Sequence, residues 1–290
     1  MRVLFLALYI CVPAFAAGGW DIWPSKVRQG EGFLLRGPKT EAPFEVAHAP
    51  AGQKPVFWSC GTKQCAVIAV PLDEKQGKKT LKLTSAAETQ ALSYRVVKGK
   101  FKVDKLKVSP KITRPSPEDQ ARAAEEKKEI DAAYALGGAQ PLWTAAFARP
   151  TSGIVTSLFG NQRTYNGEVQ STHFGVDLRA NETTPIHSTG PAKVLLAKNF
   201  FYAGNMVLLD HGGGVFTSYA HLSVLDVAAG QEIAQGAKLG MAGATGRVTG
   251  PHLHWSARLN GVPTDAMHLQ KLFDRAYEVP ALAKRPKKKG

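Results

Sequence analysis

The chain has 290 residues, 37 of them basic and 23 acidic, and a formal charge of +14. That length is enough for two domains of ordinary size. The positive balance suits a polyanionic surface such as nucleic acid, anionic lipid or the bacterial wall. No nucleic-acid-binding motif accompanies it, so nucleic acid is not an expected partner.

Residues 1–16 read as a secretory signal peptide. Arg2 is a short positive region, Val3 to Ala14 an apolar run, and Ala14-Phe15-Ala16 resembles a cleavage site. The run is short for a membrane span, and no other stretch is long and apolar enough to make one. An exported protein is expected, periplasmic or associated with the cell envelope, or secreted. Removing the signal removes Cys11 and leaves Cys60 and Cys65. An even pair in an exported chain predicts a disulfide.

Residues 17–110 read as an accessory β-sandwich. Phe33-Leu34-Leu35, Val56-Phe57-Trp58, Ala66 to Val70 and Leu81-Lys82-Leu83 are short apolar runs separated by Gly, Pro and charged clusters. Tyr94 to Val97 and Phe101 to Val108 continue the pattern. Cys60 and Cys65 lie between two of these runs, as the staple of a hairpin. Residues 111–138 are a linker holding the clearest helix, 116–136. Ser116 can cap it, Pro117 suits its first turn, Asp119 stands at the capping-box position, and Gly137-Gly138 ends it. Its charged surface suggests a solvated spacer that leaves the accessory domain to position the domain that follows. The sharper alternative is a helix that docks near the groove and restricts entry.

Residues 139–278 read as a second, mostly antiparallel β domain with a groove across one face. Its strands are apolar and β-branched, as in Ala192 to Leu196 and Asn205 to Leu209, and its turns are glycine-rich. Residues 279–290 form a basic tail that reads as a disordered end, with transient contact to an anionic surface as its functional alternative.

The second domain also carries the chemistry. His173-Phe174-Gly175-Val176-Asp177 and Gly250-Pro251-His252-Leu253-His254-Trp255 flank Tyr219-Ala220-His221-Leu222. Histidines with a carboxylate are what a catalytic zinc needs, which is three protein ligands and a water. On a strand, His252 and His254 share a face while Trp255 turns away to pack. His173 and Asp177 would lie roughly 13 Å apart if fully extended, so the chain must bend between them, and Gly175 is where a bend is easiest.

With these residues in view, the stretch 159–255 resembles the lysostaphin-type (LytM-like) peptidoglycan zinc endopeptidases. Phe159-Gly160, Arg163, Asn166-Gly167, His-x-x-x-Asp at 173–177, Asp210-His211-Gly212, Tyr219-Ala220-His221-Leu222 and Thr245-Gly246 through His254 carry the likeness. The resemblance implies one zinc per chain, held by His173, Asp177 and His254, with His221 and His252 beside the metal without ligating it. It also implies that peptidoglycan is the partner. The first domain is similar to the immunoglobulin-like modules that often precede such a peptidase.

His221 is the first choice for general base, with His252 stabilising the oxyanion or passing a proton to the leaving amine; the opposite assignment stays open. Arg163 and Asn166 are expected to shape the groove wall or meet substrate. Tyr219 shares a strand face with His221, so it either reaches the groove or packs. The expected function is hydrolysis of peptide cross-links in peptidoglycan, with D-Ala to diaminopimelate bonds favoured over glycine bridges. The alternatives are a non-enzymatic wall-binding protein or amidase activator with a vestigial zinc site, and an exported polyanion binder.

Overall fold

The computed structural model describes residues 19–40, 44–85, 89–107, 114–167 and 169–278. The signal sequence and the basic tail lie outside the described residues. The fold is mostly β, as expected.

The first part of the chain builds two four-stranded sheets. One has the order β1 (Asp21–Trp23), β3 (Gly32–Pro38), β6 (Lys63–Ala69), β5 (Trp58–Cys60), all antiparallel. The other has the order β2 (Lys26–Arg28), β8 (Thr89–Val97), β7 (Gly77–Thr84), β4 (Glu45–Ala47), with β2 parallel to β8. In β7 and β8 apolar and polar residues alternate: Leu81, Leu83, Leu92, Tyr94 and Val96 point inward while lysines and hydroxyls stay in water.

Strands β3 and β6 are buried along nearly their whole length, because both faces of their sheet are covered. The C-terminal helix packs on β3, and Trp58 stacks on Phe273 of that helix at 5.5 Å between ring centres. Trp143 meets both rings edge-on. The His268 side chain of the same helix reaches Gly32 O at 2.8 Å. One hydrophobic core therefore runs through both parts of the chain.

The Cys60–Cys65 disulfide is present and staples the β5–β6 hairpin, in which Trp58 pairs with Cys65. It closes a short loop, so its loss through Cys60→Ala/Cys65→Ala should cost about 2 kcal/mol. Urea unfolding of the variant beside the oxidised parent measures this, and coincident midpoints would contradict it.

Strand β9 (Val103–Leu106) departs from the expected pattern. It lies outside both four-stranded sheets and pairs in parallel with β11 (Gln162–Tyr165), which pairs in turn with β12 (Val169–Thr172). The linker helix α1 spans Pro117–Ala135, with Ser116 Oγ accepting from Asp119 N at 3.1 Å as the cap.

The largest sheet has the order β10 (Val155–Ser157), β13 (Val176–Arg179), β20 (His252–Leu259), β17 (Val215–Leu225), β16 (Gly204–Asp210), β15 (Ala192–Phe200), β18 (Glu232–Ile233). Strand β14 (Pro185–His187) pairs with β19 (Lys238–Ala242), β19 joins β17, and β21 (Val262–Thr264) pairs with β20. All its pairings are antiparallel. Helix α2 (Ala266–Ala276) follows, capped by Asp265.

Helix α1 is docked rather than free in solvent. Ala133, Ile130 and Tyr134 cover Phe200, Met206, Leu208, Phe216 and Ala220. Glu126 accepts from Phe201 N at 2.7 Å, and Lys198 pairs with Glu129 at 2.8 Å. Ala220 lies opposite His254, and Ser218 opposite Ser256. Opposed residues of an antiparallel pair share a face, so the helix covers one end of the sheet face that carries His254.

Candidate active site

Asp177 on β13 lies directly opposite His254 on β20. Their side chains therefore meet on one face, and His252, two residues earlier, points the same way. His173 comes from the bend between β12 and β13. A Cβ on Gly175 would lie 2.6 Å from the His254 ring and 2.9 Å from Trp255 O. The missing side chain is thus what admits His254 beside the bend.

Three atoms converge. His173 Nε2 is 2.9 Å from Asp177 Oδ1 and 3.0 Å from His254 Nδ1, and His254 Nδ1 is 3.0 Å from Asp177 Oδ1. His173 Nδ1 donates to Leu158 O at 2.9 Å. A carbonyl only accepts, so in the neutral ring Nε2 presents a lone pair. Ligand bonds of about 2.0–2.1 Å in a tetrahedron place donors roughly 3.3 Å apart. The donor set fits one dication of that size.

Burial alone would raise the Asp177 pKa, but the neighbouring His173 and His254 rings hold the carboxyl well below its ordinary range. Burial pushes His254 down to about 4 despite the Asp177 carboxylate. A carboxylate and neutral imidazoles are the protonation states that bind a metal. Arg163 donates to Asp177 Oδ2, which leaves Oδ1 facing the two histidines.

His221 and His252 stand beside this group, with ring centres 5.0 Å apart and His221 5.8 Å from His254. His252 Nε2 is 3.7 Å from Asp177 Oδ1. Both rings use Nδ1 on a backbone carbonyl, His221 on Thr245 O at 2.9 Å and His252 on Gly250 O at 2.8 Å. In the neutral rings each Nε2 is then an acceptor. Burial, with His254 and His252 adding to it, lowers the His221 pKa to about 3.

The backbone of His221 is left-handed, at φ 66, where the β16–β17 register also shifts. That irregularity overturns the shared face expected for Tyr219 and His221 and leaves Tyr219 with its packing alternative. The alternation breaks between the two residues, so Tyr219 does not face the groove with His221. It is fully buried in the core, its hydroxyl 3.0 Å from Thr217 Oγ1 and 3.1 Å from Thr189 N. Trp255 packs in the core as expected. Asn166 takes a turn position at φ 53, its N–H on Leu106 O at 2.9 Å. It shapes the β11–β12 hairpin and is not among the residues lining the adjoining cavity. His211 is fully buried between Pro191 O and Thr217 Oγ1, and burial lowers its pKa to about 4.

A cavity of about 600 Å³ opens beside the converging side chains. Arg163, Asp177 and His252 line it, as expected of a groove. Asp104, Lys105, Arg179 and Arg247 line it too, and the sequence reading gave them no role. Arg247 lies between the Tyr165 and Tyr202 rings, 4.6 and 4.5 Å from their centres. Its signal was its place inside the glycine-rich run before His252. Lys105, Arg179 and Arg247 have no ion-pair partner among the described residues.

Residues 171–266 match the family model described as Peptidase family M23. That span contains His173, Asp177, His221, His252 and His254. The chain is 42% identical over 95 residues to the peptidoglycan DD-endopeptidase ShyA of Vibrio cholerae, an alignment covering 33% of this chain and 22% of that protein. It is 40% identical over 93 residues to the DD-carboxypeptidase/endopeptidase Mpg of Neisseria meningitidis, covering 32% of this chain and 21% of that protein. The chain thus spans about a fifth of the length of these curated relatives. The crystal structure of a candidate M23 peptidase from Pseudomonas aeruginosa superposes with a TM-score of 0.65 at 28% identity, covering 84% of this chain and 95% of that one. That agreement extends the likeness of fold beyond the matched segment. This chain carries a peptidase family M23 domain, homologous to the LytM/lysostaphin-type peptidoglycan endopeptidases.

Proposed function

We propose that the protein is an exported zinc metalloendopeptidase that hydrolyses peptide cross-links of bacterial peptidoglycan. The observation that carries this reading is the convergence of His173, Asp177 and His254 beside two further imidazoles in an open cavity. One zinc per chain would be held by those three residues, and when bound it supplies Lewis acidity that polarises a peptide carbonyl and acidifies water.

The chain's own groups then handle the protons. His221 Nε2 takes a proton from the attacking water as the oxygen bonds to the carbonyl carbon. Cleavage of the C–N bond leaves an amine that must gain a proton; the imidazolium form of His252 donates it from Nε2, there or to the developing oxyanion, and exchange with solvent afterwards discharges His221 and reprotonates His252. Thr245 O and Gly250 O hold the two rings so that Nε2 is the working atom. Asp177 Oδ2 stays on Arg163, which keeps the carboxylate from rotating.

The cavity supports a substrate with free carboxylates. Lys105, Arg179 and Arg247 line it, and a diaminopimelate cross-link carries carboxylates where a glycine bridge is neutral. The favoured bond is therefore D-Ala to diaminopimelate. Two ShyA-type relatives are named as DD-endopeptidases, which supports the same class. Export and a cell-envelope location belong to this proposal; no helix among the described residues is long and apolar enough to cross a membrane.

The test is incubation of purified protein with defined muropeptides, with and without chelator, and mass identification of the products. Cross-linked dimers should fall to monomers only in the metal-loaded sample. Intact dimers in both samples, with sacculi still bound, would favour the amidase-activator or wall-binding alternative.

A further inference from the structure

We propose that Asp104, on strand β9 ahead of the linker helix, is a positioning residue that acts through Ser157 to keep His173 in its metal-binding tautomer. The inference rests on the reading of His173 as a metal ligand. Asp104 lies outside the matched family segment, in a stretch whose alternating pattern suggested only a further sandwich strand.

The geometry is a chain of contacts. Asp104 Oδ2 accepts from Ser157 Oγ at 2.8 Å and from Asn161 Nδ2 at 3.0 Å. Ser157 Oγ lies 3.2 Å from His173 Nδ1, which also faces Leu158 O at 2.9 Å. Ser157 has one hydroxyl proton, and an ionised carboxylate can only accept. With that proton committed to Asp104, Ser157 offers His173 a lone pair. Both neighbours of Nδ1 then require an N–H there, and Nε2 is left bare toward Asp177 and His254.

Without the carboxylate, the Ser157 hydroxyl is free to turn and donate to Nδ1. Leu158 O still asks for an N–H at Nδ1, so the turned hydroxyl competes with it and shifts the balance toward the other tautomer, whose Nε2–H points into the site and excludes a cation. Strand β9 is well placed to hold the device. Asp104 lies opposite Arg163 in the β9–β11 pairing, Gln162 N donates to Lys102 O at 2.8 Å, and Lys102 N donates to Asn161 Oδ1 at 3.1 Å. A segment outside the peptidase motif thereby completes the metal site.

The experiment measures zinc affinity of the full chain by competition with a chromophoric chelator, so that turnover is not the readout. The variants are Asp104→Ala, Asp104→Asn, Ser157→Ala and the Asp104→Ala/Ser157→Ala pair, with Asp177→Ala as reference. Asp104→Ala should weaken zinc about 10- to 100-fold, the usual loss for a group that orients a ligand. Asp104→Asn, which still offers an oxygen to Ser157, should lose less. In the Ser157→Ala background there is no hydroxyl to turn, so Asp104→Ala should change affinity by less than about 2-fold. Wild-type affinity in Asp104→Ala overturns the proposal. So does an equal loss in both backgrounds, because that is what mere detachment of β9 predicts. If Asp104→Ala does not fold, the same comparison with Asp104→Asn decides. If Asp177→Ala also binds zinc normally, the metal-site reading itself fails, and that outcome is distinct from the others.

Discussion

Asp177→Ala should give a folded protein that does not retain zinc and does not turn over muropeptides. Folding is expected because neither Asp177 nor its two histidine neighbours belong to the hydrophobic core, which is built from the opposite face of β13, β17 and β20. Metal loss is expected for two reasons that add. The carboxylate is the only anionic donor of the three, and a buried dication needs that charge. Its removal also leaves the Arg163 guanidinium facing the site without its partner, so a cation entering would meet like charge. The loss should exceed the roughly 10- to 100-fold typical of groups behind a ligand. Metal analysis after gel filtration is the measurement. Full zinc occupancy in a folded Asp177→Ala would remove the residue from the ligand set, and with it the assignment of the site.

What was legible in the sequence was short-range. The Ser116 cap, the Cys60–Cys65 hairpin and the shared face of His252 and His254 all depend on periods of a few residues, and all are found. The Tyr219–His221 pair failed because strand alternation holds only while the register holds, and the left-handed His221 breaks it. No local pattern announces such a bulge. The docking of α1 was hidden for another reason. Its apolar contacts are confined to Ile130, Ala133 and Tyr134 near one end, so the helix as a whole reads as solvated. The two-sided burial of β3 and β6 did leave a signal. Phe33-Leu34-Leu35 and Ala66 to Val70 are unbroken apolar runs, whereas a strand with one face in water would alternate.

The role of the first part of the chain changes with these contacts. A truncation beginning at residue 139 would remove more than a spacer or a cover. It would take away β9 from the edge of β11, the sheet that covers α2, and the helix that shields Phe216 and Met206. Faster or slower turnover by such a fragment would therefore mix access with integrity. Substitutions at the α1 docking face, with β9 intact, separate positioning on the wall from restriction of the groove. Ala133 and Tyr134 are suitable positions, since neither touches the converging histidines.

His221→Ala should keep its zinc and lose about 100- to 10,000-fold in turnover, the range for a general base. Retention of metal follows from the geometry: the three converging donors are His173, Asp177 and His254, and His221 lies to one side with Nδ1 committed to Thr245 O. The size of the loss needs a control, because His221 sits at φ 66, where asparagine is better tolerated than most residues. His221→Asn keeps that backbone while removing the imidazole. If the ring is the base, both variants fall together. If turnover returns in His221→Asn, the residue matters for its backbone alone. The choice between His221 and His252 is settled with a substrate whose leaving group needs no proton, such as an ester analogue of the cross-link. A variant lacking the proton donor should recover on the ester, whereas one lacking the base should not. Recovery by His221→Ala, with His252→Ala remaining slow, would reverse the assignment of the two rings.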